Sequence, residues 1–108
     1  PKQQLVFGAL VLNATAKTVT VHQQALGLND NEFDVLWLLA LQAGKVVSRI
    51  DLVSQLRGIE YDGLDRSVDI RVSRLRKKLQ EAQDQPYKVK TIRGKGYLFC
   101  RDDAATTS

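Results

Sequence analysis

Cysteine and histidine occur once each in this sequence, as Cys100 and His22. A single thiol excludes an internal disulfide framework and suits a reducing compartment, so the cytoplasm is the expected setting. One histidine and one distant cysteine are too few for a zinc site or a Cys–His nucleophilic pair. No apolar run approaches about 18 residues and no signal-peptide pattern is present, so no membrane span is expected. Gly94-Lys95-Gly96 lacks the rest of a phosphate-binding loop and has no Ser or Thr after the lysine; its glycines suit a tight turn. Asp30 and Asp34 lie one turn apart, but acids in a first helical turn answer the helix dipole. Internal repeats and low-complexity segments are also lacking. Neither an enzyme nor a cofactor is expected.

Positive charge is scarce in the first half of the chain. Of the sixteen Lys and Arg, only Lys2, Lys17 and Lys45 precede Arg49. The 108 residues make one domain's worth of chain and carry a net charge of +4, enough length to bury a real core without staples. A basic second half favours a polyanionic partner, nucleic acid or anionic lipid, and equally allows a merely solvated basic surface. The first residue is Pro1 rather than Met, which reads as a processed chain or one cut from a longer one.

The first 28 residues alternate β-rich runs with turn signals. LVFGALVLN and KTVTVH read as strands around a NATAK turn, and QALGL as a fourth strand, together a small antiparallel meander. A first helix follows, with Asn29 as N-cap and Glu32 completing a capping box. Phe33, Leu36, Trp37, Ala40 and Leu41 take core spacing, with Leu38 and Leu39 widening the apolar arc, and Gly44 is a natural stop. Trp37 reads as core filler. Ser48 and Asp51 cap a second helix carrying Leu52, Val53 and Leu56. RGIEYDGL, residues 57–64, reads as a loop. A third helix is expected from about Asp65 to Ala82. Two β-rich runs then flank Arg93-Gly94-Lys95-Gly96, a hairpin with a basic tip.

Helix three carries the functional signal. At about 100° per residue, Val68, Val72, Leu75 and Leu79 form one core stripe. Ile70 points almost directly away from it, among Arg66, Ser73, Arg74 and Lys77. A branched aliphatic centred on a positive face suits a DNA major groove, which offers guanine acceptors to arginine and thymine methyls to an apolar side chain. Ile70 and Arg74 are then candidate base readers, with flanking cations on phosphates. Equally, Ile70 could pack under a loop or meet a protein partner, since a lone exposed aliphatic proves little. A positive hairpin after two helices joined by a turn makes a winged helix-turn-helix. Arg93 at its tip could enter a minor groove.

DRSVDIRVSRLRKKL followed by KVKTIRGKGYLF resembles the C-terminal effector domain of OmpR/PhoB-type response regulators, and LNDNEFDVLWLLALQAGKVVSRIDL resembles the family's first two helices. The resemblance covers roughly residues 5 to 100. It implies an α+β winged helix-turn-helix with an N-terminal four-stranded antiparallel sheet, three helices and a C-terminal hairpin wing, with 1–4 a linker and 101–108 a flexible tail. It implies double-stranded promoter DNA as partner, helix three in the major groove and the wing in the adjacent minor groove. Ile70, Arg74 and Arg93 would touch bases. Arg49, Arg66, Ser73, Arg76, Thr91, Lys95 and Tyr97 would touch the backbone, and Lys77 joins them by periodicity. The loop of Arg57, Gly58, Ile59, Glu60, Tyr61, Asp62, Gly63 and Leu64 would contact RNA polymerase, although many members carry Trp-Gly where this chain has Arg57-Gly58. Ser73 stands where some relatives have a second arginine.

The resemblance further implies an N-terminal receiver domain, without counterpart in these residues, phosphorylated by a sensor histidine kinase. Receiver dimerisation would raise the local concentration of effector domains on tandem half-sites; alone, the domain is expected to be monomeric. Two other readings stay open. One is a winged-helix interaction module docking helix three on an acidic partner. The other is RNA binding, for which Tyr97 and Phe99 would be the stacking aromatics.

Overall fold

The computed structural model describes residues 3–56, 64–82 and 85–101, with 64–67 described as backbone only. Strands β1 (Gln4–Phe7), β2 (Leu10–Asn13), β3 (Thr18–Val21) and β4 (Gln24–Ala25) form an antiparallel sheet in sequence order. Then come α1 (Asp30–Leu41), the two-residue β5 (Val46–Val47), α2 (Arg49–Leu56), α3 (Leu64–Glu81), β6 (Tyr87–Ile92) and β7 (Gly96–Arg101). The fold is thus the expected mixed architecture of meander, three helices and hairpin. The tail from 102 and the 57–63 stretch of the expected loop lie outside the described residues.

Local chemistry places the helices. The Glu32 N–H donates to Asn29 Oδ1 at 2.8 Å and the Asn29 N–H donates to Glu32 Oε1 at 3.1 Å, the reciprocal bonds of a capping box. At α2 the Asp51 N–H donates to Ser48 Oγ at 3.0 Å. In the meander, period-2 alternation turns Leu10, Leu12, Val19 and Val21 inward. Helix α1 is rotated from the expected stripe. Its buried arc centres on Leu36 and Leu39, so Trp37 is only partly buried, stacked on Phe33, and Leu41 lies beyond the edge of the arc, 46% exposed.

Strand β5 has no counterpart in the sequence reading. It pairs with β7, giving a three-stranded sheet ordered β5-β7-β6. Two residues are too few to show a period. Gly44 N–H donates to the Phe99 carbonyl at 2.9 Å, tying the end of α1 to the same strand. Phe7 of β1 meets Tyr87 and Phe99 with ring centroids 5.1 and 5.0 Å away, so the meander and the hairpin share one aromatic cluster.

Candidate nucleic-acid interface

Helix α3 is seated by its core stripe. Val68, Val72, Leu75 and Leu79 are all at most 1% exposed, each burial stabilising by about 1.5–3 kcal/mol. Its two flanks are covered by different elements. On one flank Lys78 Nζ donates to Glu32 Oε1 of α1 at 2.6 Å and to the Gly27 carbonyl at 3.0 Å. On the other, seven residues apart and so on one side of the helix, Asp69 and Arg76 reach the hairpin. Arg76 Nε donates to the Val89 carbonyl at 3.1 Å and its Nη2 to Thr91 Oγ1. Tyr97 donates its hydroxyl to Asp69 Oδ1.

Between these flanks runs an uncovered strip. Ile70 is 51% exposed, and Ser73, Arg74 and Lys77 are exposed beside it. The backbone of Arg66 belongs to the same helix, while its side chain lies outside the described residues. Among the described residues, therefore, nothing closes over Ile70 or Arg74. The exposed aliphatic that the wheel singled out is open to a partner.

The hairpin tip is equally open. The Lys95 N–H donates to the Ile92 carbonyl at 2.9 Å, closing a four-residue turn with Gly94 at φ +73° in its third position, where a left-handed backbone is required. Arg93 and Lys95 are both exposed there. A cleft of about 380 Å³ separates the tip from the start of α2. Arg49, Thr91, Lys95 and Tyr97 line it, bringing together four of the expected backbone contacts, with the strongly exposed Ile50 at its rim.

The candidate cations fall into two groups. Among the described residues, the side chains of Arg74, Lys77, Arg93 and Lys95 have no hydrogen bond or ion pair within the domain. Arg49 and Arg76 are engaged internally: Arg49 grips Asp69 with Nε to Oδ1 and Nη2 to Oδ2, both 3.2 Å. Asp69 is the residue that sequence reasoning missed. The signal was present, since an acid seven residues before Arg76 shares its side of the helix. The hydrogen bond from Tyr97 holds its carboxyl below the ordinary aspartate range; partial burial opposes this and Arg49 reinforces it. Burial first, then Asp69, pushes the Tyr97 phenol up to about 12. The lowered carboxyl contributes stability above its ordinary pKa and loses it as acid passes the lowered value. The raised phenol contributes below about 10 and loses it as pH climbs toward 12. At neutral pH the contact is therefore an intact carboxylate–phenol bond.

Tyr97 is 8% and Phe99 0% exposed. Phe99 is core, so the pair offers no stacking platform to unpaired bases. Among the described residues no three metal-ligating side chains come together, and no helix is long and apolar enough to cross a membrane.

A buried-backed helix with an open basic strip, flanked by a β-hairpin with a cationic tip, defines a winged helix of the DNA-binding type. Residues 23–99 match the family described as the C-terminal domain of transcriptional regulatory proteins, and the chain belongs to that family. It is similar to the transcriptional regulatory protein RstA of Escherichia coli, 46% identical over 99 residues, which are 92% of this chain and 41% of that protein. The chain thus spans less than half the length of that relative. Among solved structures it is similar to the DNA-binding domain of Klebsiella pneumoniae RstA in complex with the RstA box, with 43% identity, TM-score 0.75 and coverage of 92% of this chain and 98% of that one. It also resembles the C-terminal effector domain of BfmR from Acinetobacter baumannii, with 44% identity, TM-score 0.70 and coverage of 93% and 92%.

Proposed function

We propose that this chain is the DNA-reading effector domain of a two-component response regulator, binding double-stranded promoter DNA sequence-specifically. The observation that carries this reading is the uncovered strip of α3, with Ile70 and Arg74 at its centre and the Arg93 wing tip beside it. Helix α3 enters the major groove, where Arg74 reads a guanine edge and Ile70 a thymine methyl. Arg93 enters the neighbouring minor groove. Arg66, Ser73, Lys77, Thr91 and Lys95 contact phosphate or sugar. Arg49, Arg76 and Tyr97 act there only through whatever their internal bonds leave over. That a similar domain was solved in complex with its DNA box supports the DNA-binding reading.

The wider protein is read from the family. A receiver domain phosphorylated by a sensor kinase pairs two effector domains on tandem half-sites, residues 57–64 meet RNA polymerase, and the whole acts in the cytoplasm without catalysis by this domain. Alone, the domain is a monomer.

Selection of bound sites from random duplex DNA at stated salt tests the reading. Recovery of a tandem motif containing A·T pairs is expected; recovery of no motif would favour an interaction module with an acidic partner. Ile70→Ala should weaken binding chiefly where thymine is read, and leave the melting temperature nearly unchanged because the side chain is half exposed. A large loss of thermal stability would return Ile70 to a packing role. Lys95→Ala should lower affinity on all sequences and reduce the slope of log affinity against log salt by about 1. An unchanged slope would remove the wing from the contact.

A further inference from the structure

We propose that Asp69 is a positioning residue of the DNA-binding surface, holding the hairpin and the first turn of α2 in place against α3. The inference rests on the DNA-binding reading and adds to it an unexpected sign: here a carboxylate beside the groove-facing strip strengthens binding to a polyanion.

Three elements meet on this one side chain. Oδ1 accepts from Tyr97 of β7 and from Arg49 Nε of α2, and Oδ2 accepts from Arg49 Nη2 at 3.2 Å. Asp69 itself precedes Ile70 on α3, so the carboxylate joins the reading helix to both walls of the cleft that Arg49, Lys95 and Tyr97 line. Tyr97 pairs with Thr91 across the hairpin, one residue pair before the turn that carries Arg93. A shift at Tyr97 therefore moves the wing tip. Arg76 holds the other strand of the hairpin, at Val89 and at the same Thr91 that pairs with Tyr97, while Asp69 ties β7 and, through Arg49, the start of α2. The lowered carboxyl and raised phenol keep both partners in their bonding forms at neutral pH.

Fold stability accounts for the Tyr97 half of this contact but little for the Arg49 half. The Asp69 side chain is 53% exposed and that of Arg49 43%, and exposed ion pairs contribute little. Coulomb's law alone predicts that deleting a negative charge near phosphates raises affinity. The positioning reading predicts the reverse.

The test is titration of the selected duplex with the parent chain, Asp69→Ala, Arg93→Ala and the double variant, at one salt concentration. Asp69→Ala should bind on the order of tenfold more weakly despite the gain in net positive charge, and the Arg93→Ala loss should shrink in its background. Asp69→Asn, which keeps a carbonyl acceptor, should recover part of the affinity. Tyr97→Phe keeps the ring and deletes only the hydroxyl; it should reproduce the reduced Arg93 contribution even if Asp69→Ala folds poorly. Tighter or unchanged binding by Asp69→Ala, or an undiminished Arg93 loss, overturns the proposal. Failure of the DNA-binding reading itself would show differently, as a parent chain with no preference for any duplex.

Discussion

Arg74→Ala should lose about 1–3 kcal/mol of binding on the selected site, roughly a 5- to 150-fold rise in Kd, and relax discrimination at one base pair. The expectation is large because Arg74 is exposed and, among the described residues, engages no group of its own domain. Its guanidinium needs no internal bond broken before it meets a base, and Val72 and Leu75 on either side of Ser73 and Arg74 hold the backbone rigid beneath it. Competition titrations with cognate and scrambled duplexes at fixed salt provide the measurement. Equal losses on both would reassign Arg74 to phosphate. The melting temperature should barely move, since the truncated side chain packs against solvent.

Gly96→Ala should act in the opposite place, on stability. Gly96 has φ +146°, and a Cβ there would stand 2.1 Å from the Val47 carbonyl oxygen and 2.8 Å from Ser48 Cα. Both are backbone atoms, so no side chain can swing aside. The variant must push β5 away from β7 or bend the hairpin. A loss on the order of 2–4 kcal/mol is expected from the combined clash and backbone strain, which for a domain of this size lowers the melting temperature by roughly 10–25 °C. Thermal denaturation followed by circular dichroism reads it. A change of only a degree or two would mean that the β5–β7 contact is easily given up. Where Gly94 serves the turn itself, Gly96 allows two strands to touch.

That distinction was out of reach of the sequence. Both glycines sit in one basic tetrapeptide, and a turn accounts for either; the close approach of Val47 comes from a strand two residues long and about fifty positions away. The helices were legible because their signals are local. Asn29 and Glu32 cap each other, Ser48 caps Asp51, and the 3.6-residue period of Val68, Val72, Leu75 and Leu79 leaves Ile70 outside. In α1 the period blurs, as Leu36 to Leu39 supply apolar choices on most sides. Tertiary packing then decided which arc was buried, and Leu41 fell outside it.

The site was half legible for a related reason. A helical wheel gives direction, so the strip of Ile70, Ser73, Arg74 and Lys77 could be read from spacing. It gives nothing about what covers the flanks. That Arg49 and Arg76 bind inside the domain, and that Asp69 and Tyr97 join helix to hairpin, depends on where β6 and β7 return. The family resemblance put these residues near the DNA; only the fold divides open cations from those engaged within the domain.

The rings of Phe7, Tyr87 and Phe99 carry a mechanical consequence. Phe7 sits in the first strand, while Tyr87 and Phe99 face each other at the root of the hairpin, 5.4 Å between centroids. A tug or twist applied to that first strand would reach the hairpin directly through three stacked and tilted plates. Because Asp69 and Arg76 fasten that hairpin to α3, the pull would be passed on to the reading head as well.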